Sequence, residues 1–396
     1  MKKHFILFLI SFLFLNTAFS QNYKKQVENN NRFTFELFSD IGSFDENLFL
    51  SPFSVSTALA MTYEGARGKT RTEMSEVLHF PEEAQTVNES FKTIISDIQK
   101  SVNPKFYVLN IANSIWAQND YNFLHSFFES VQTYYDAKIE SVNFKQTEDR
   151  EHARIKINNW IAKKTNDKIK NLLDINSLDD DTKMVLVNTV YFLAKWEKQF
   201  NEKATKPDFF FAVSGKLEKD FMHGNNRMKY AENETVKLAE IPYKNKRASM
   251  IVIMPKISDN FNAFKTNFSF NEFNELYKKA DYHNITLSLP KFKIEYKNDL
   301  AKILYDAGMP RAFTNHADFS GMTCKKELKI DKIIHQTFID VDESGTEAAA
   351  ATAVIMTRIT SVNPNDLIEF KADHPFIFLI KENTTGSILF IGQLVK

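Results

Sequence analysis

A chain of 396 residues, 43% hydrophobic and 25% charged, is long and apolar enough to bury a large core. Lys+Arg and Asp+Glu balance at 50 each, which argues against nucleic-acid binding and against a polybasic membrane surface. The single cysteine, Cys324, excludes an internal disulfide, so stability must come from the core; no motif surrounds it, and it reads as a small structural residue rather than a nucleophile.

The N-terminus, MKKHFILFLISFLFLNTAFSQ, carries Lys2 and Lys3, an apolar run from Phe5 to Leu15 and a small-x-small triplet, Ala18-Phe19-Ser20. This pattern predicts a secretory signal over residues 1–20, with the mature chain starting at Gln21. The run is shorter than the roughly 20 residues needed to span a bilayer, so no membrane anchor is expected. Apolar residues at helical spacing predict helices over Tyr23–Phe38, Pro52–Tyr63, Gln85–Ser101 and Asp149–Leu173. Ser51-Pro52 opens the second helix well, because Ser can cap and Pro suits the first turn. Strands are predicted over Met184–Leu193, Thr235–Tyr243, Ala248–Met254 and His283–Tyr296, followed by a short helix over Asn298–Ala307. Leu328–Val341 and Pro375–Leu394 read as further strands. Helices early and strands late point to an α+β chain with mainly antiparallel sheets.

Motifs for catalysis are missing. GARGKT (Gly65–Thr70) resembles a phosphate-binding loop, but only two residues separate its glycines and a helix precedes it, so Gly65 and Gly68 read as helix-end residues. The chain has no HExxH, GxSxG or CxxC, and its nine histidines include no pair at ligand spacing. No catalytic residue, cofactor or metal is expected.

GTEAAAATAVIMTRIT (Gly345–Thr360) joins four alanines, the best helix formers, to the β-branched Thr352, Val354, Ile355, Thr357, Ile359 and Thr360. Read from Glu343, the stretch Glu343, Ser344, Gly345, Thr346, Glu347, Ala348, Ala349, Ala350, Ala351, Thr352 resembles the hinge of a serpin reactive-centre loop. The resemblance covers essentially the whole mature chain. NLFLSPFSVSTALAM (Asn47–Met61), INNWIAKKTNDKIKNLL (Ile157–Leu173), LVNTVYFLAKWEKQF (Leu186–Phe200), LAEIPY (Leu238–Tyr243), LPKFKIEYKNDL (Leu289–Leu300), ADFSGM (Ala317–Met322) and DHPFIFLI through GSILFIG are all similar to serpin segments, in the family order. Departures are Glu64, Ala194 where the family usually has Gly, and a longer span from the hinge to Pro375.

The resemblance implies a single domain over 21–396 with three mostly antiparallel sheets, eight or nine helices and an exposed loop at about 343–364. It implies inhibition of a serine protease by a suicide mechanism. The protease cuts the loop and forms an acyl-enzyme, and the loop then inserts into the central sheet as a new strand. It also implies a polar shutter of Ser51, Ser54, Asn188 and His335, and a point of first entry, the breach, at Trp196. Alternation tests whether the loop can insert. One face would carry Thr346, Ala348, Ala350, Thr352, Val354 and Met356, none of them charged; the single charge, Glu347, falls on the other. No proline interrupts Gly345–Ile359. This pattern favours insertion over a static helix or strand.

Counting seventeen positions from Glu343, as the family does, sets the scissile bond at Ile359–Thr360, which suits elastase-like proteases. A loop one residue shorter selects Arg358–Ile359 and trypsin-like proteases. A cysteine protease is a further possible target. The helix over Gln85–Ser101 mixes Glu89 and Asp97 with Lys92 and Lys100, so strong heparin dependence is not expected. The expected state is a secreted monomer, extracellular or, in a Gram-negative bacterium, periplasmic. The alternative is a non-inhibitory serpin, a carrier or chaperone-like protein.

Overall fold

The computed structural model describes residues 22–103, 105–258, 261–346 and 367–396. The signal sequence expected over 1–20, the loop residues Glu347, Ala348, Ala349, Ala350, Ala351 and Thr352, and the bait residues Arg358, Ile359 and Thr360 lie outside the described residues.

Helix α1 covers residues 22–40. Strand β1 (Leu48–Leu50) leads into α2 (Pro52–Gly65), where the Ser51 side chain accepts the Ser54 amide and Pro52 takes the first turn, as its sequence predicts. Gly65 ends α2 and Gly68 opens α3 (Gly68–Leu78), so GARGKT is a helix–helix joint. Next come α4 (Ala84–Ser101), β2 (Tyr107–Gln118), α5 (His125–Tyr135), β3 (Lys138–Val142) and α6 (Thr147–Lys164). The helix expected to reach Leu173 stops at Lys164 because Asn166 and Asp167 take left-handed φ of 48° and 61°, a conformation their short polar side chains tolerate.

The strand-rich part comprises β4 (Met184–Lys195), β5 (Lys206–Ala212), β6 (Gly215–Glu232), β7 (Val236–Pro242), β8 (Ala248–Pro255), β9 (Asp281–Pro290) and β10 (Phe292–Asp299). Helices α7 (Phe261–Asn267) and α8 (Phe270–Lys278) precede β9, and α9 (Ala301–Asp306) and α10 (Ser320–Thr323) follow β10. Then come β11 (Ile334–Val341), β12 (Gly345–Thr346), β13 (Leu367–Lys371), β14 (Phe376–Glu382) and β15 (Ile388–Leu394). The helices run past the expected eight or nine because α9 and α10 are very short turns. Three predicted strands need correction. His283–Tyr296 divides at Lys291 into β9 and β10. Leu328–Val341 shortens to β11. Pro375–Leu394 is the hairpin β14–β15, whose turn uses Gly386 at φ 81°.

Among the described residues the strands form two ladders, and only β2–β3 and β9–β13 pair in parallel. One runs β1-β15-β14-β8-β7-β6-β9-β13, with β5 also on β6; the other runs β10-β11-β12-β4-β2-β3. The expected second and third sheets merge because the long β6 serves both, pairing with β5 and β9 over most of its length and with β7 at its end.

The main core fills the space between the ladders and is capped by α2, α4 and α5. β8 shows the layering: Met250, Val252 and Met254 face this core, while Ile251 and Ile253 face a second cluster with Phe35 and Phe38 of α1 and Phe264 and Phe273 of α7 and α8. Burial on both faces explains its unbroken apolar run. A third cluster lies on the outer face of the six-stranded ladder, where Ala153, Ile157 and Ile161 of α6 cover Trp116 of β2 and Val187 of β4.

Candidate functional site

β4 and β11 run parallel, and β12 lies between them, antiparallel to both. Thr346 pairs with Val341 on one side and with Ala194 on the other. Below that rung β4 and β11 share no ladder among the described residues. Two strand edges therefore face each other, and the chain enters the slot at its upper end.

A compact turn delivers the chain there. Asp342 Oδ1 accepts the amides of Ser344 (2.8 Å) and Gly345 (3.1 Å). Trp196, just past β4, donates its amide to Ser344 O at 3.0 Å and its indole N–H to Asp342 O at 2.9 Å. Its ring stacks on Tyr243, with centroids 4.6 Å apart and planes 6° from parallel. The Tyr243 hydroxyl lies 2.6 Å from Thr346 Oγ1, deep beneath the rung. Burial holds the Tyr243 phenol far above its ordinary range, so it stays protonated. Gly345 is required by close approach: a Cβ there would stand 2.1 Å from Ala194 O.

Glu343 anchors the outer side of the turn. Its carboxylate receives Lys291 Nζ at 2.9 Å and the Thr205 hydroxyl at 2.7 Å. Burial alone would raise this carboxyl, but the bonds from Lys291 and Thr205 outweigh it and hold it below the usual range. Asp342 has no cation partner among the described residues and is raised, chiefly by burial.

Midway down the slot, Ser51 meets His335 and Ser54 meets Asn188. The Ser51 amide donates to His335 Nε2 at 3.0 Å, and the Ser51 hydroxyl donates to Leu389 O at 2.8 Å. Ser54 Oγ donates to Asn188 Oδ1, Asn188 Nδ2 donates to Asn113 Oδ1, and Asn113 Nδ2 donates to Tyr135 O. Burial lowers His335 to about 4, so its ring is neutral and can accept from Ser51. Trp196 lies at the upper end of the slot, bonded to Ser344 O and Asp342 O. Tyr243, Asp342, Lys291, Thr205 and Asn113 are contact partners of these residues that the sequence does not single out. Tyr243 at least closes the LAEIPY segment; the others carry no local signal.

A family model described as Serpin (serine protease inhibitor) matches residues 28–396. The chain is 37% identical over 366 residues to an uncharacterized serpin-like protein of Thermococcus kodakarensis, covering 92% of this chain and 84% of that one. It is also 37% identical over 377 residues to the leukocyte elastase inhibitor of Bos taurus, covering 92% and 97%. Among solved structures, the thermophilic serpin tengpin in its native state superposes with a TM-score of 0.82 at 32% identity over 94% of each chain.

Proposed function

This chain belongs to the serpin family, and from that premise we propose that it is a secreted inhibitor of serine proteases acting as a suicide substrate. The carrying observation is the seated first rung at Thr346, between two strand edges that share no ladder below it among the described residues. Each further residue of an antiparallel strand steps one place back along both neighbours. Continued in this register, Ala348 would lie between Ile339 and Phe192, and Ala350 between Thr337 and Val190. Thr352 would lie between His335 and Asn188, at the shutter.

The uncharged set Thr346, Ala348, Ala350, Thr352, Val354, Met356 then faces the main core. Burying Val354 and Met356 would contribute roughly 1.5–3 kcal/mol each. Glu347 would face the α6 side, where the sheet is less deeply covered at its upper end.

In this reading the protease serine attacks the carbonyl of Ile359 and expels the amine of Thr360, leaving an ester to the loop. Insertion pulls that ester away before water can cleave it. The similarity to an elastase inhibitor supports an aliphatic bait residue such as Ile359; cleavage after Arg358 would draw trypsin-like enzymes instead. The signal pattern of residues 1–20 supports secretion, to the extracellular space or a periplasm, and a monomer suffices for the mechanism.

The test is incubation with elastase, trypsin and papain, followed by boiling in SDS. A band near the summed mass, with a released fragment starting at Thr360 or Ile359, supports the reading. Cleavage with no such band and no gain in thermal stability would favour a carrier or chaperone-like serpin.

A further inference from the structure

A cleft of about 550 Å³ opens where three elements meet: the end of α4, the turn between β7 and β8, and the turn between β14 and β15. Its walls carry three cations, Lys100, Lys246 and Arg247, and no acid. The neutral lining is mostly amide and hydroxyl, from Ser101, Asn245, Asn383 and Thr384. None of these residues takes part in the mechanism proposed above.

The three cations are not equivalent. Lys100 pairs with Asp97 at 2.9 Å and sits in the last turn of α4, whose negative end borders the cleft, so its charge is already offset. Lys246 and Arg247 have no carboxylate partner among the described residues. The Arg247 guanidinium meets only the Thr384 hydroxyl, at a long 3.4 Å. The turn that presents them is pinned and strained. Asn245 and Lys246 take left-handed φ of 62° and 54°. Asparagine tolerates that region; lysine does so poorly, and glycine would fit more easily. Three bonds hold the backbone there. The Asn245 amide donates to Glu197 Oε2 at 2.9 Å, Asn383 Nδ2 donates to Lys246 O at 3.1 Å, and the Asn383 amide donates to Arg247 O at 2.8 Å. Strain kept at a lysine whose ammonium bonds to no described residue asks for a purpose outside the fold.

We propose that this cleft binds the phosphate ester of a small polyol, such as a sugar phosphate. Arg247 offers a fork of donors to two phosphate oxygens, and Lys246 adds a point charge beside it. The surrounding amides and hydroxyls match the hydroxyls of a sugar. The volume exceeds what inorganic phosphate needs and lies in the range of small-molecule sites. The bound ester bridges three elements of the folded chain and stabilises it by mass action.

The experiment titrates the full chain, at low ionic strength, with glucose 6-phosphate, inorganic phosphate and glucose, read by calorimetry and by thermal midpoint. Glucose 6-phosphate should bind saturably with a dissociation constant of about 1 mM or below and raise the midpoint. Inorganic phosphate should bind about tenfold more weakly, and glucose should not bind. Arg247→Ala should weaken the ester about tenfold. Lys246→Gly should weaken it as far and leave the ligand-free midpoint level, since relief of strain at φ 54° offsets glycine's added chain entropy. Lys244→Ala removes the same charge from the same turn outside the cleft and should bind as wild type. No saturable binding, equal weakening in Lys244→Ala, or unaltered affinity in both Lys246→Gly and Arg247→Ala would overturn the site. A fall in the ligand-free midpoint of Lys246→Gly would mark the lysine as structural and overturn it too. Equal affinity for inorganic phosphate and the ester would overturn the polyol assignment.

Discussion

Thr346→Arg is the sharpest test of insertion. Thr346 is 1% exposed, and its hydroxyl meets Tyr243 beneath the Trp196 ring. An arginine on this rung must either bury its guanidinium or leave the slot. Of the two acids in the turn, Glu343 is committed to Lys291 and Thr205, and Asp342 spends Oδ1 on the Ser344 and Gly345 amides that shape the turn. Burying an unpaired charge costs several kcal/mol, and losing the hydroxyl contact adds about 1 kcal/mol. The apolar gain lower down is of the same order, roughly 3–6 kcal/mol for Val354 and Met356 together. That gain comes only after the first rung has been passed, so entry should stall there. The intact fold should survive, because only the two residues of β12 need detach.

The assay compares wild type, Thr346→Arg and the near-isosteric Thr346→Val against an elastase-like protease. Thr346→Arg should be cut at the normal bond, form no SDS-stable complex, and show no rise in midpoint after cleavage. Thr346→Val should still inhibit. A stable complex from Thr346→Arg at wild-type yield would refute both the register and the mechanism built on it.

Gly345→Ala should destabilise the seated hinge by about 1–3 kcal/mol, since its Cβ would press on Ala194 O at 2.1 Å and the strand must shift; faster limited proteolysis of the loop in the variant would check this. His335 adds a pH term. Its value falls from 6.5 to about 4 on burial, so the unfolded chain binds the extra proton between those values. Its contribution is complete above pH 6.5 and shrinks by about 1.4 kcal/mol per unit as pH falls toward 4. Denaturant titrations from pH 7 to 4 should show this slope in wild type and a shallower one in His335→Gln. Lys265 gives the opposite window. It is buried, donates to Ser43 O at 2.6 Å and lies over the Phe38 ring, and burial lowers it to about 8. Its folded value lies below its unfolded one, so stability should rise from pH 8 to 10.5, and Lys265→Met should abolish the rise.

The parts legible in the sequence are those whose physics is local. Ser51-Pro52 announced a capped helix start; of the alternating uncharged face after Gly345 only Thr346 is among the described residues, and it sits in a two-residue strand. Asn166 and Asp167 could have stopped the predicted helix, but the apolar spacing carries on through Ile169, Leu172 and Leu173, which pack under α6 after the helix has ended. In His283–Tyr296 the buried positions change from odd (Leu287, Leu289) to even (Phe292, Ile294) where the chain crosses from one ladder to the other. That change of parity was readable. β2 was not, because both its faces are covered and Asn110, Asn113 and Ser114 interrupt its apolar run. Lys291, Thr205 and Tyr243 reach the hinge from distant strands and turns, so only tertiary structure could reveal them.

In the proposed mechanism the bonds around Ser51 and Ser54 would let the slot open without the edges drifting apart. The first turn of α2 holds β11 through the Ser51 amide and His335, and holds β4 through the Ser54 hydroxyl and Asn188. Neither bond joins β4 to β11 directly. The helix is a crossbar under the slot, and it grips each edge by a side chain rather than by ladder bonds that an entering strand would need. In the proposed register Thr352 arrives between His335 and Asn188. It would be the one hydroxyl below Thr346 in the core-facing set, entering where the polar side chains of His335 and Asn188 line the path. An alanine there would leave polar neighbours facing a methyl group, while a charged residue would repeat the penalty of an arginine at 346. In that register the crossbar would select Thr352, as Ala194 selects Gly345 by close approach and Tyr243 meets Thr346.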